Sequence, residues 1–238
     1  MEYRLLGPVE IRHGGVPVRI TAARQRAVLA TLLFQTGRVV PVGALVDLLW
    51  GERPPASAIL TVRNYVSRLR AILPEPVLRS QHGGYLIEAA TDLSEFERLV
   101  ALAHHARPAH AVTLLDQALA LWRGPALADL GDVPLRDIEA PRLEEMRLAA
   151  VETRVEALIR LGEGGRLVPE LLRLVAQHPL RERFAEQLME ALDACDRRSE
   201  ALDVYRRTRH RLVRDLAVEP GIRLRQIHRR LLRDSVGA

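Results

Sequence analysis

The side chains best suited to chemistry lie between residues 56 and 73, in the segment ASAILTVRNYVSRLRAIL. Asn64, Ser67 and Arg68 recur at the spacing that places side chains on one face of an α-helix. The segment has no acidic residue, whereas a solvated helix usually mixes both signs of charge to form ion pairs. Because such polar and basic side chains hydrogen-bond to base edges and phosphates, the segment predicts a DNA-contacting helix. A plain basic surface helix is the alternative.

The expected contacts divide this face into a centre and two flanks. The centre would contact bases, where a good bidentate contact discriminates by ~1–3 kcal/mol; its residues are Asn64, Ser67 and Arg68. The flanks would contact phosphates or neighbouring bases; their residues are Thr61, Arg63 and Arg70. Tyr65 lies nearer the buried side of the helix, where packing and a phosphate contact through its hydroxyl both remain open.

Two further pairs of residues are candidates for DNA contact. Thr21 is predicted to cap a helix beginning near Ala22, and with Arg24 it would offer backbone N–H groups and a charge to a phosphate. Gln81 and His82 lie in a predicted hairpin tip. They would reach the minor groove or the backbone, although a plain tight turn fits these residues equally well.

The elements that must position these side chains are predicted to be three strands, three helices and a hairpin. Short β-branched or alternating runs separated by Gly and Pro predict the strands, at 3–6, 9–12 and 18–20. The helices are expected at 22–35, 42–50 and 56–73, and the hairpin at 77–88. The third helix would bury an apolar stripe formed by Ile59, Val62, Val66, Leu69 and Leu73.

The net charge of +5 is unevenly distributed along the 238 residues. Residues 1–90 contain 11 arginines against 6 acidic residues, whereas residues 91–238 contain 24 of each. A basic domain followed by a neutral one is typical of a nucleic-acid reader attached to a domain for protein contacts.

The residues argue most firmly against an enzyme. The chain has no lysine, no Gly-rich phosphate loop and no nucleophile elbow. His104, His105 and His110 have no Cys or acidic partner at a metal-ligand spacing. The single cysteine, Cys195, allows no intrachain disulfide, and we expect it to be a buried structural thiol. Without a secretory signal or a membrane-length apolar run, the expectation is a soluble cytoplasmic protein.

The second half of the sequence predicts helices almost throughout. Two segments, 165–178 and 196–210, each follow an apolar helix and a polar turn and lie roughly 31–34 residues apart. This period is typical of tetratricopeptide-like helix pairs, which stack into surfaces for protein partners. The predicted fold is therefore mixed: an N-terminal α+β winged helix-turn-helix followed by an all-α tetratricopeptide-like domain.

Residues 1–90 resemble the winged-helix DNA-binding domain of the OmpR type. The segment YVSRLR (65–70) is similar to the core of that family's recognition helix, and Gly83-Gly84-Tyr85 is similar to the tip of its wing. The resemblance implies that the helix reads the major groove and that no ion or cofactor is needed. Since the sequence begins with this domain, we expect no phospho-receiver domain and no control through a receiver aspartate.

The whole chain resembles the Streptomyces antibiotic regulatory protein family, because the winged helix is followed by WRGPAL (122–127) and RDLAVEPG (214–221). This implies a DNA-binding domain at 1–90 and a bacterial transcriptional activation domain at 91–238. It also implies an activator of antibiotic gene clusters that binds direct repeats of double-stranded promoter DNA near the −35 region. The implied partners are a second protomer on the DNA and RNA polymerase holoenzyme with its sigma factor. Since the sequence ends at Ala238, we expect a short member without an ATPase domain.

One alternative belongs to another class of protein. A helical-repeat adaptor could use the basic domain to bind an acidic protein instead of DNA. Specific binding to promoter DNA in the presence of competitor DNA would distinguish the activator from the adaptor.

Overall fold

The chain forms two compact units in a computed structural model that describes the backbone of residues 1–236 and the side chains of residues 1–233. The first unit contains residues 1–101 and 117–148, and the second contains residues 102–116 and the chain from Ala149 onward. The predicted boundary between residues 90 and 91 stays a prediction.

The first unit begins with a three-stranded antiparallel sheet, in the order β1 (Glu2–Arg4), β2 (Glu10–His13) and β3 (Val16–Val18). The third strand lies two residues earlier than the sequence predicted. Gly14 and Gly15 both have positive φ, at 56° and 82°, and form the two-residue turn between paired His13 and Val16. Because such a turn fixes the register of a hairpin, β3 must begin directly after it.

Three helices and a second sheet complete the winged helix-turn-helix. The helices are α1 (Ala23–Phe34), α2 (Val42–Trp50) and α3 (Ala58–Arg70), and each packs against the other two. The second sheet has the order β4-β6-β5, formed by β4 (Val40–Pro41), β5 (Leu78–Gln81) and β6 (Gly84–Ile87). The predicted link before α2 is therefore a strand that pairs with the wing. The next helix along the chain, α4, spans Asp92–His104.

Helices follow through the rest of the described chain, as predicted. Their bounds are α5 (Pro108–Ala120), α6 (Pro134–Arg160), α7 (Gly164–Gln177), α8 (Glu182–Asp193), α9 (Arg198–Leu216) and α10 (Ile222–Val236). In the second unit, α8 is the central helix, because α7, α9 and α10 all pack against it. Its buried residues include Phe184, Leu188 and Met189, each no more than 1% exposed. The mixed fold predicted from the sequence is confirmed.

Helix α6 continues through Pro141 without a break. The prediction that Cys195 is a buried thiol is wrong. Cys195 is exposed, because α8 ends at Asp193 and the cysteine lies in the following turn. In the described part of the chain, no helix has the length and apolar composition needed to cross a membrane.

Candidate nucleic-acid interface

Helix α3 is held in place by a narrow apolar stripe. Ala58, Val62, Val66 and Leu69 are each no more than 4% exposed and recur at three- and four-residue steps. The prediction that Ile59 belongs to this stripe is wrong, because its side chain is 53% exposed. The stripe begins at Ala58, and one residue along an α-helix rotates the side chain by about 100°, away from the core.

The predicted base-contacting centre of α3 is exposed. The side chains of Asn64, Ser67 and Arg68 all face solvent, as does that of Arg63 on one flank. None of these four side chains forms a hydrogen bond or an ion pair with any residue that the structure describes. Their donors are therefore available to an external partner, and α3 carries no acidic residue to repel an anion.

Two residues of α3 are less available than the sequence suggested. Thr61 is half-buried, and its hydroxyl donates a 2.9 Å hydrogen bond to the Ser57 carbonyl one turn earlier. Tyr65 is also half-buried, at the edge of the apolar stripe. Contact of either residue with DNA stays a prediction.

Arg70 connects α3 to the wing. Its guanidinium donates to the Leu78 carbonyl at 3.2 Å and to the Ser80 hydroxyl at 2.8 Å, and it lies 5.7 Å from the centre of the Tyr85 ring. These contacts fix the angle between helix and hairpin. The sequence predicted a phosphate contact for Arg70, which stays a prediction; the bonds to the wing were missed because they join residues of separate elements.

The wing tip presents Gln81 and His82, both exposed. His82 and Gly83 have φ values of 48° and 75°, as the two central residues of the type I′ turn favoured in hairpins. At Gly84, a side chain would collide with the Val40 carbonyl, so only glycine allows β6 to approach β4 here. The Gly-Gly pair therefore has two separate functions, a turn and a close strand pairing.

The beginning of α1 differs from the prediction. Ala22 occupies the N-cap position without a side-chain hydrogen bond, so Thr21 is not the cap. Instead, the Arg26 guanidinium donates to the carbonyls of Ile20 and Thr21 and holds the entering chain. Arg24 is exposed, with its guanidinium 5.6 Å from the centre of the Trp50 ring. The phosphate contacts proposed for Thr21 and Arg24 stay predictions.

Most arginines of residues 1–90 are exposed and carry positive charge that no ion pair compensates within the described chain. Four of the 11 form ion pairs: Arg4, Arg12, Arg26 and Arg79. The other seven are exposed and form no ion pair with a described residue: Arg19, Arg24, Arg38, Arg53, Arg63, Arg68 and Arg70. Uncompensated positive charge of this kind attracts a polyanion such as DNA.

Residues that follow the winged helix in the sequence form hydrogen bonds with its N-terminal backbone. The Asp92 carboxylate accepts hydrogen bonds from the backbone amides of Leu5 and Leu6, at 2.6 and 3.1 Å. Burial raises the pKa of the Asp92 carboxyl, while these amides and the Arg123 guanidinium act in the opposite direction. The Thr91 hydroxyl accepts a hydrogen bond from the Ser94 amide and caps the N-terminus of α4.

The loop after α5 makes a second set of contacts with the N-terminal strands. The Arg123 amide donates to the Leu6 carbonyl and the Leu127 amide to the Gly7 carbonyl, at 2.9 and 2.8 Å. Asp129 accepts from the Val9 amide and forms an ion pair with Arg26. These supporting residues were not predicted, because partners so distant in sequence leave no local pattern.

The second unit presents a groove of about 940 Å³ between α6, α8 and α10. Arg183 crosses it by forming ion pairs with Glu156 of α6 and Glu186 of α8, at 2.7 and 2.9 Å. Burial raises the pKa of the Glu190 carboxyl in the same groove. The charge of Arg183 is therefore compensated within the groove by carboxylates of two helices.

Comparison with known proteins assigns most of the second half of the chain to a known family. The family described as bacterial transcriptional activator domain matches residues 91–232. The regulatory protein DnrI of Streptomyces peucetius is 38% identical over 255 residues, an alignment that covers the entire chain and 94% of DnrI. The regulatory protein AfsR of Streptomyces griseus is 42% identical over 240 residues. The chain spans only about a quarter of the length of AfsR, because the alignment covers 98% of the chain but 24% of that protein.

A solved structure is similar over almost the entire chain. It is that of Mycobacterium tuberculosis EmbR in complex with a low affinity phosphopeptide, with a TM-score of 0.94 and 36% sequence identity. The similarity covers 98% of the chain described here and 65% of the EmbR chain. EmbR is a transcriptional regulatory protein, and the two relatives named above are regulatory proteins.

Proposed function

The chain belongs to the Streptomyces antibiotic regulatory proteins, transcriptional regulators with a bacterial transcriptional activator domain, and from this premise we propose that it activates transcription by binding specific promoter DNA. These proteins are regulators, not enzymes. The observation that carries the proposal is the outer face of α3, where Asn64, Ser67 and Arg68 are exposed and their side chains have no partner among the described residues.

In this proposal, α3 enters the major groove. Arginine pairs bidentately with guanine and asparagine with adenine, so Arg68 and Asn64 would read these two bases. Arg63 would neutralise a phosphate, and the exposed wing tip, with Gln81 and His82, would follow the backbone or the minor groove. The bonds between Arg70 and the wing support this arrangement, because they let helix and hairpin engage one duplex at a fixed angle.

The activating step is assigned to the helical part of the chain. We propose two protomers side by side on direct repeats near the −35 region, and recruitment of RNA polymerase holoenzyme through its sigma factor. The regulated genes would be those of a secondary-metabolite cluster, and the protein would act in the bacterial cytoplasm without a cofactor. Membership of the family and the groove in the second unit support this division of labour.

The proposed domains, 1–90 for DNA binding and 91–238 for activation, differ in one respect from the compact units. Residues 117–148 belong to the activator segment by sequence, yet they pack with the winged helix in the first unit. We infer that this stretch supports the DNA-binding surface mechanically, through Arg123 and Asp129.

A mobility-shift experiment with the full chain tests the proposal. The probe is promoter DNA from genes neighbouring its own, mixed with excess non-specific competitor, followed by footprinting of any shifted complex. We expect a specific shift and protection of two repeated half-sites. If no specific shift occurs at any salt concentration while the chain still binds acidic proteins, it is an adaptor and the proposal is wrong.

A further inference from the structure

The first turn of α3 exposes two large aliphatic side chains next to each other. Ile59 is 53% exposed and Leu60 is 60% exposed, on a helix whose other exposed residues are polar or basic. Isolated exposed aliphatic residues are common, so this pair needs an explanation only because it lies beside the face predicted to contact DNA. Neither side chain contributes to the apolar stripe that fixes the helix.

The two side chains differ in where they point. Leu60, Asn64 and Ser67 follow the i, i+4, i+7 spacing of a single helix face, so Leu60 extends the predicted base-contacting centre by one turn toward the N-terminus. Ile59 lies one residue earlier, in line with Arg63 on the flank. The aliphatic side chain at the centre of the face is therefore Leu60.

We propose that Leu60 reads thymine, by packing against its C5-methyl group in the major groove. The inference rests on the proposed DNA-binding function and deepens it. Thymine is the one base that presents a methyl group at the major-groove edge, and apolar side chains recognise it there. The N-terminal residues of a recognition helix are the ones that approach base edges.

The positive charges near Leu60 favour DNA over an apolar protein surface as its binding partner. Arg63 and Arg68 lie on the same exposed side of the helix, without ion pairs to described residues and without an acidic residue on α3. Bringing an apolar protein against these arginines would desolvate uncompensated charge, which is costly. In a DNA groove the phosphates compensate those charges while the methyl group covers Leu60.

In this proposal, neighbouring side chains of α3 recognise different features of the bases. Asn64 and Arg68 would read hydrogen-bonding edges, whereas Leu60 would distinguish thymine from cytosine and from uracil, which lacks only the methyl group. Burying one methyl group against Leu60 corresponds to about a fourfold gain in affinity. The expected effect is small but confined to one or two positions of the binding site.

The test uses the full chain and a duplex that it selects from a random-sequence library. Each thymine of that duplex is replaced in turn by deoxyuridine, which removes the methyl group and keeps the hydrogen-bonding groups. We expect one or two replacements to weaken binding about fourfold. With Leu60→Ala, the same replacements should change the affinity by less than about 1.5-fold, since a lost contact cannot be lost twice.

Ile59→Ala is the matched control, because it removes a similar aliphatic side chain from the same turn. It should keep the fourfold sensitivity to deoxyuridine. The inference is overturned if no thymine methyl group matters to the parent protein, if Leu60→Ala remains equally sensitive, or if only Ile59→Ala abolishes the sensitivity. Failure of the library to yield any specific duplex would instead contradict the proposed DNA-binding function itself.

Discussion

The guanidinium Nε of Arg26 lies 2.6 Å from a carboxylate oxygen of Asp129, although 103 residues separate the two positions. The same guanidinium donates to the Asp129 carbonyl at 2.6 Å and to the carbonyls that precede α1. Arg26 therefore connects the start of α1 to the loop after α5. We therefore expect the stability of the winged helix to depend on residues that a division at residue 90 would remove.

A fragment ending at residue 90 should consequently be less stable than one ending at residue 148. It lacks the hydrogen bonds that the Leu5 and Leu6 amides donate to Asp92, and it lacks the contacts of Arg123 and Asp129. We expect its melting temperature, followed by circular dichroism, to be lower by roughly 10 °C. It should still bind DNA, with an affinity that falls steeply as salt rises. Equal melting temperatures would contradict the supporting role of residues 117–148.

The ion pair can be tested alone with Asp129→Asn in the full chain. The substitution leaves the partly buried Arg26 without its carboxylate, so the free energy of unfolding should fall by about 2 kcal/mol. Both tryptophans, Trp50 and Trp122, belong to the first unit, so their fluorescence in a urea titration reports on that unit. The control is Asp132→Asn, which changes an exposed carboxylate in the same loop and should have almost no effect.

Arg68→Ala and Asn64→Ala should each weaken specific DNA binding by about 1–3 kcal/mol. Because both side chains are exposed and their groups have no partner among described residues, helical content and thermal stability should not change. Mobility shifts with specific and competitor duplexes measure the first effect, and circular dichroism the second. Arg98→Ala, which removes an exposed arginine from α4, is the control. Unchanged affinity in both variants would exclude α3 as the reading element.

Arg63→Ala should act on affinity without changing sequence preference. If Arg63 neutralises one phosphate, its loss reduces binding to specific and competitor DNA by the same factor. The slope of log affinity against log salt should also become shallower by about 0.9. A titration at several salt concentrations measures this slope, and a change in preference between duplexes would instead make Arg63 a base contact.

Arg70 should affect stability as well as binding. Arg70→Met removes two hydrogen bonds to the wing and the contact with Tyr85, so we expect a loss of about 1–2 kcal/mol in stability. DNA binding should weaken because the hairpin is no longer fixed against α3. Arg68→Met is the matched comparison and should leave stability unchanged. If the two variants are equally stable, the bonds between Arg70 and the wing do not contribute to the fold.

The fold was predictable from the sequence because its determinants are local. The apolar spacing of Val62, Val66 and Leu69 requires a helix with one buried side, and the glycines at 14–15 and 83–84 require hairpin turns. The exposed polar centre of α3 followed from the same periodicity. The charge difference between the two halves is a property of composition alone.

Only the tertiary structure determined which side chains are exposed at a helix end and which polar side chains pair with residues distant in sequence. Ile59 is exposed because α3 begins at Ala58, and a shift of one residue turns a side chain out of the core. Arg70 is bound to the wing while Arg68 is free of partners among described residues, although both are arginines on one helix. Arg26 and Asp129 are in contact although they lie 103 positions apart in the sequence. Sequence periodicity determines which face of an element is buried, whereas packing between elements determines which of the polar side chains remain available to a partner.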